Sequence, residues 1–149
     1  MRLALEACQQ GIQRSQSPFG ACIVRDGQVL AVAHNHVWHD TDPSAHAEIV
    51  CIRQACRRTR SVHLEGATIY STTEPCPMCF SCIHWTRISR IVYAANIQDA
   101  ASYGFNELPV SNVTMKQASG SAVELVASVL RDQALALFEE WRKQGGKAY

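Results

Sequence analysis

The sequence predicts an α/β protein in which helices pack on one central sheet. Segments with apolar residues at helical spacing alternate with short apolar, β-branched segments typical of buried strands. Such alternation favours layers of helix and sheet around a single core. The chain has 149 residues, the usual size of one domain with a full core. Because it contains no linker, repeat or low-complexity tract, residues 1–149 are expected to form one domain.

The first half of the chain predicts a helix, a hairpin and a second helix. The hairpin is indicated by Asp26-Gly27, a dipeptide that favours a tight turn between two strands. Pro43 interrupts the polar stretch that separates the hairpin from the second helix. The predicted elements are a helix over 3–13, strands over 21–24 and 29–33, a loop over 34–44 and a helix over 45–58.

The second half begins with two further strands that flank a helix. The apolar pattern weakens after residue 96, where two more helices are predicted from spacing alone. The paired glycines Gly145-Gly146 end the last of them. The predicted elements are a strand over 67–72, a helix over 76–86, a strand over 88–95 and helices over 122–130 and 132–142.

Composition limits the class of function. The chain is 47% hydrophobic and 18% charged, as in soluble globular proteins, and no apolar run approaches the ~20 residues of a membrane span. Residues 1–6 read as amphipathic helix and not as an export signal, so a cytoplasmic protein is expected. A net charge of +1 lacks the basic field of polyanion-binding proteins and favours a small substrate. The seven cysteines, an odd number, do not suggest a disulfide framework.

Two short motifs predict a metal site. Cys76 and Cys79 are three residues apart at a predicted helix start, where they share a face and the helix N-terminus favours thiolates. His46 begins the preceding helix, followed by Glu48. One histidine and two cysteines suit a catalytic Zn²⁺, one per chain, whose open position holds a water or hydroxide that Glu48 can deprotonate. A redox cysteine pair and a closed structural site with Cys82 as fourth ligand remain alternatives.

Both motifs together form the signature of zinc deaminases. Over residues 18–21, 42–48, 73–79 and 90–93 the chain resembles the cytidine deaminase-like superfamily, most of all its bacterial guanine deaminases, with tRNA adenosine deaminases next. The resemblance implies a three-layer α/β/α fold with a mixed sheet of about five strands. It also implies hydrolysis of a purine base, guanine, to xanthine and ammonia, by a homodimer that binds no nucleic acid and no membrane.

The resemblance also implies residue roles. Asn106-Glu107 stands where guanine deaminases carry an acidic pair, so Glu107 is expected to assist Glu48 in catalysis. Aromatic walls, a base-binding amide, backbone groups and a terminal aromatic residue are expected to contact the substrate. The C-terminal residues are expected to cover the site and to be exchanged between subunits. The predicted substrate-binding residues are Phe19, Asn35, Ala47, Pro75, Trp85 and Tyr149.

Three other functions stay open at this point. A tRNA adenosine deaminase could use the arginines at 53, 57, 58 and 60 on phosphates, although these also suit the wet face of a helix. Guanosine, cytosine and triazines are other possible substrates. A zinc scaffold without activity is the third alternative, against which Glu48 argues. The histidines at 34, 36 and 39 are interpreted as loop residues that could attract adventitious metal.

Overall fold

The computed structural model describes residues 1–149, and its five strands form one mixed sheet in the order β2-β1-β3-β4-β5. β1 is antiparallel to both of its neighbours, whereas β3, β4 and β5 run parallel. The predicted mixed sheet of about five strands is therefore confirmed. The strands are β1 Gly20–Arg25, β2 Gln28–His34, β3 Thr68–Thr73, β4 Arg90–Ala95 and β5 Glu124–Val126.

Helices cover the sheet and complete the three-layer α/β/α arrangement. α1 and α7 pack together with β1 and β4, while α3 packs on β1 and β2 with α4 beside it. No helix combines the length and the apolar composition that a membrane span needs. The helices are α1 Arg2–Gln13, α2 Val37–Asp40, α3 Ala47–Thr59, α4 Pro77–Trp85, α5 Ile97–Ser102, α6 Asn112–Ser119 and α7 Arg131–Lys143.

An isoleucine row crosses the middle of the sheet. Ile23 on β1 pairs with Ile69 on β3, which pairs with Ile91 on β4, and all three are fully buried. β-Branched side chains pack well on a pleated surface, and burial of each is worth about 1.5–3 kcal/mol. This row holds β3 and β4 in register, so their carboxyl ends meet at one edge of the sheet.

Most predicted elements lie within two residues of the observed ones, including the helix predicted over 132–142, which is α7, but the other predictions after residue 96 failed. The helix predicted over 122–130 is wrong, because this segment contains the edge strand β5, in which Leu125 pairs with Ile91 on β4. The backbone of β5 forms its hydrogen bonds with β4, and the periodicity of residues 122–130 alone cannot predict this pairing. The predicted loop over 34–44 contains the one-turn α2, and α5 and α6 had no corresponding prediction.

Candidate active site

Three ligand atoms converge where two helices begin. His46 is the residue that precedes α3, Cys76 is the one that precedes α4, and Cys79 lies in the first turn of α4. His46 Nδ1 lies 3.6 Å from the Sγ atoms of both Cys76 and Cys79. Tetrahedral bonds of about 2.05 Å to nitrogen and 2.3 Å to sulfur would separate N and S by about 3.6 Å. The three residues therefore fit a zinc ion with one open position.

The pKa values of Cys76 and His46 are shifted towards a thiolate–imidazolium pair. Hydrogen bonds from Cys79 and His46 hold the pKa of Cys76 at about 4, against the opposing effect of burial. Burial raises the pKa of Cys79, and its hydrogen bond with Cys76 adds to this. Burial lowers the pKa of His46, but hydrogen bonding to Cys76 and the charge of Glu48 reverse the balance and raise it. Metal binding would thus replace a thiolate–imidazolium pair and release protons.

Glu48 lies beside this cluster in the first turn of α3. Its side chain is buried, and its Oε1 accepts a 3.0 Å hydrogen bond from Ser71 Oγ on β3. Burial raises the pKa of Glu48, although the positive charge of His46 and the Ser71 hydroxyl oppose the shift. A carboxyl with a raised pKa and a fixed rotamer suits proton transfer near neutral pH.

Glu107 reaches the same cavity from the segment between α5 and α6. The side chains of Glu107 and Glu48 line this cavity together with those of His46 and Cys76. Burial raises the pKa of Glu107 to about 7, and the negative charge of Cys76 contributes to the rise. The site therefore holds two carboxyl groups with raised pKa values, a pattern found where protons are exchanged with a substrate.

A small cavity adjoins the ligand cluster, and the last residue of the chain, Tyr149, is part of its lining. Phe19 forms one wall and packs edge-on against Phe105, with ring centroids 4.7 Å apart. The ring of Tyr149 lies opposite, 5.7 Å from the His46 ring. Residues 144–149, which we call the C-terminal tail, thus cover the cavity from within the same chain.

Asn35 connects this tail to the sheet. It follows β2, is fully buried, and donates from Nδ2 to the Tyr149 hydroxyl at 2.8 Å. Its Oδ1 accepts from Val37 N at 3.0 Å, which fixes the orientation of the amide. Of the predicted residues, Phe19 and Tyr149 line the cavity, and Asn35 is connected to it through the Tyr149 hydroxyl.

Ala47 and Pro75 contribute backbone groups beside the ligands. Ala47 is the first residue of α3, whose first amides have no partner inside the helix and receive no side-chain cap. The Pro75 carbonyl accepts from Asn112 Nδ2 at 2.5 Å, which leaves one lone pair free. Both groups can therefore still hydrogen-bond a bound molecule.

Two predicted participants lie apart from the cavity. Trp85 ends α4, six positions after Cys79 or about 9 Å along the helix, and 77% of its surface is exposed. Its role as an aromatic wall stays a prediction that needs a second chain. Cys82 lies one turn beyond Cys79 and is not among the clustered ligands, which are His46, Cys76 and Cys79.

Sequence reasoning missed four residues that support the site. Ser71 and Thr73 project from the same face of β3, and Thr73 Oγ1 is buried without a partner beside the cavity. Glu74 accepts hydrogen bonds from Ile97 N and Asn112 N, the first amides of α5 and α6. Hydroxyls at every second position before the cysteine motif could have indicated Ser71 and Thr73. No local signal could have indicated Asn112.

Known proteins with similar sequences are deaminases. The profile of the cytidine and deoxycytidylate deaminase zinc-binding region matches residues 1–95. A guanine deaminase of Bacillus subtilis is 37% identical over 97% of this chain and 90% of its own length. The tRNA-specific adenosine deaminase of the same species is 30% identical over 97% and 89%. That of Aquifex aeolicus is 38% identical over 64% and 63%.

Solved structures agree with this grouping. A structure of NE0047 with 2,6-diaminopurine has a TM-score of 0.89 and 27% identity, and the match covers 98% of this chain and 81% of that one. A guanine deaminase from Nitrosomonas europaea has a TM-score of 0.86 and 26% identity, with coverage of 94% and 81%. A tRNA:A34 deaminase structure has a TM-score of 0.80 and 31% identity, with coverage of 92% and 96%.

Proposed function

Since the chain belongs to the cytidine and deoxycytidylate deaminase zinc-binding family, we propose that it is a zinc-dependent aminohydrolase that converts guanine and water to xanthine and ammonia. The position of Tyr149 over the cavity beside the ligand cluster is the observation that favours a free base over a nucleoside in RNA as the substrate. A nucleoside within an RNA strand would require the tail to leave.

The degree of sequence identity supports guanine over RNA. The Bacillus subtilis guanine deaminase is 37% identical over 97% of the chain. The tRNA-specific adenosine deaminase of the same species aligns over the same share of the chain at 30% identity. Since the metal motifs are common to the family, substrate choice depends on Glu107 and the tail.

His46, Cys76 and Cys79 would hold zinc, which when bound supplies a Lewis acid and a water of lowered pKa. Glu48 accepts the proton of the attacking water, with Ser71 holding its carboxylate in place, and delivers this proton to the ring nitrogen next to C2. Oxygen adds to C2, and the resulting hydroxyl gives its proton to Glu48 or Glu107, which passes it to the exocyclic amine. The exocyclic C–N bond then breaks, ammonia leaves, and C2 becomes a carbonyl, which gives xanthine.

Asn35, Ala47 and Pro75 orient the base in this proposal. The Asn35 Nδ2 group exchanges the Tyr149 hydroxyl for the base as its partner, while Val37 N keeps the orientation of the amide fixed. The Ala47 amide and the Pro75 carbonyl meet the polar edge of the base. Phe19 packs against its face, since flat aromatic surfaces stack favourably.

We further propose that the protein is a cytoplasmic homodimer, and the exposed apolar side chains support the dimer. Met78 and Leu108 flank the mouth of the site, with 39% and 63% of their surfaces exposed, and Trp85 is exposed at the end of α4. Contiguous exposed apolar surface commonly marks a protein interface. Light scattering after size exclusion tests the dimer, and a monomeric mass at micromolar concentration would remove it.

A tRNA adenosine deaminase is the second candidate, because a relative of that kind aligns over 97% of the chain. The arginines that could bind phosphates occupy the far half of α3. Arg57 lies about 16 Å along the helix from His46, and Arg53 already pairs with Asp42 at 3.7 Å. This placement favours a solvated helix face over an RNA contact.

Ammonia release by the zinc-loaded protein tests the proposal. The panel contains guanine, guanosine, adenine, cytosine, ammeline and a tRNA anticodon stem, each at the same concentration. We expect guanine to be the preferred substrate, with little turnover of guanosine because of the tail. Turnover of the RNA stem alone would overturn the proposal. If the protein with zinc bound turned over no compound of the panel, the inert zinc scaffold would be favoured.

A further inference from the structure

A second cluster of metal-ligating side chains lies on α2, outside the proposed reaction. His36, His39 and Asp40 each offer a ligand atom, and these atoms all lie within 4.8 Å of one another. The Asp40 carboxylate bridges the two imidazoles: its Oδ1 lies 2.6 Å from His39 Nδ1 and its Oδ2 lies 3.5 Å from His36 Nδ1. Neither histidine lines the cavity beside Glu48.

We propose that His36, His39 and Asp40 form a second, surface site for a divalent transition-metal ion. Two imidazoles three residues apart on one helical turn face the same side, and imidazole with carboxylate suits zinc, nickel and copper. A tetrahedral ion would draw its nitrogen ligands to about 3.4 Å from each other. The His39 side chain is 72% exposed, so it is free to rotate until its ring nitrogen reaches this distance from that of His36.

The backbone that carries this site is well anchored. His39 N donates to Gln16 Oε1 at 3.1 Å, which ties α2 to the segment after α1. His34, the nearest other imidazole, is occupied by a 2.7 Å hydrogen bond from its Nδ1 to the Asn35 carbonyl. Three protein ligands therefore remain, and water completes the coordination on the exposed side. The site is expected to be weaker than the cysteine site and to exchange its ion.

The same helix supports the C-terminal tail. Trp38 Nε1 donates to the Lys147 carbonyl at 3.2 Å, and its ring centroid lies 6.3 Å from that of Tyr149. Val37 N hydrogen-bonds the Asn35 amide that holds the Tyr149 hydroxyl. An ion that joins His36 at the start of α2 to Asp40 at its end would stiffen this support. We expect the loaded site to hold the tail closed, a consequence that does not depend on the identity of the substrate.

Calorimetric titration of the zinc-loaded full chain with Ni²⁺ tests the site. The expected result is one binding event per chain that releases no zinc. His39→Ala and His36→Ala should each weaken it by about tenfold or more. His84→Ala, which removes an exposed histidine elsewhere, should leave it unchanged. Absence of the event, or its persistence in both variants, would overturn the proposal. Equal weakening by His84→Ala would do the same, because it indicates unspecific binding.

Hydrogen exchange of residues 144–149 tests the link to the tail. Saturating Ni²⁺ should slow exchange there in the wild type and in His84→Ala, but not in His39→Ala. Unchanged exchange in wild-type protein with the nickel site filled would overturn the link while leaving the metal site in place. Neither readout uses deaminase activity, so failure of the proposed substrate and failure of this site are separate results.

Discussion

Asn35 Nδ2 donates a 2.8 Å hydrogen bond to the hydroxyl of Tyr149, a residue 114 positions away at the end of the chain. The contact joins the residue proposed to bind the base to the residue that covers the base site. Because Asn35 is fully buried, its amide needs a partner whether or not a substrate is present. The Tyr149 hydroxyl supplies that partner in the free protein, and the substrate would replace it.

Removal of residues 148–149 should open the site. We expect KM for guanine to rise by about tenfold or more, and guanosine turnover to increase relative to guanine turnover. Tyr149→Phe is the matched control, because it keeps the ring and removes one hydrogen bond worth about 1 kcal/mol; a change of no more than about tenfold is expected. Steady-state kinetics on both substrates measure the effect. Unaltered selectivity in the truncated protein would contradict the role of the tail.

Ser71→Ala should lower kcat by about tenfold with little change in KM. The serine hydroxyl donates to Glu48 Oε1 at 3.0 Å inside the protein, so its loss frees the carboxylate to take unproductive rotamers. Ser119→Ala, an exposed hydroxyl on α6, serves as the control. Equal rates for wild type and Ser71→Ala at saturating guanine would show that Ser71 does not position the carboxylate.

The number of zinc ions per chain should show whether Cys82 is a fourth metal ligand or not a ligand at all. The wild type and Cys82→Ser are expected to retain one zinc per chain after dialysis, because Cys82 is not part of the cluster of His46, Cys76 and Cys79 and the weaker site on α2 exchanges its ion. Cys79→Ser should lose most of its zinc and unfold at lower temperature, since metal that binds the native state stabilises it. Elemental analysis after dialysis measures both. Loss of zinc from Cys82→Ser would show that a fourth cysteine ligand exists.

Glu74→Gln should destabilise the fold by about 2 kcal/mol. The buried carboxylate accepts from Ile97 N at 3.3 Å and from Asn112 N at 2.7 Å, at the N-termini of two helices whose dipoles favour negative charge. Glutamine removes the negative charge, and its NH₂ group would face one of these two backbone N–H groups, so that two donors meet. Glu65→Gln, on an exposed side chain, should stay within about 0.5 kcal/mol. Urea unfolding compares the two, and equal stabilities would exclude this account of Glu74.

The parts of the molecule that could be predicted from sequence are those with local signals. The Asp26-Gly27 turn, the apolar strands and the His46 and Cys76 motifs carry their geometry in short stretches of sequence. The ligand cluster followed from them because β2 and β3 are both antiparallel to β1 and therefore end at one edge of the sheet, beyond which His46 and Cys76 lie. The β5 pairing and the Asn112–Pro75 hydrogen bond depend on distant segments, so periodicity could not indicate them. The role of Trp85 could not be predicted from local sequence either, since its side chain is exposed and the residues that it would contact in a second chain are not defined.

Xanthine formation from guanine by the zinc-loaded protein, compared between Glu48→Gln and Glu65→Gln, tests the central claim most directly. We predict one ammonia per xanthine for the wild type and for Glu65→Gln. Glu48→Gln should lower kcat by about 10²–10⁴-fold, the range for a lost general acid–base group, while its zinc content stays at one per chain. Full activity of Glu48→Gln, or inosine formation in the tRNA stem with no xanthine from guanine, would contradict the account.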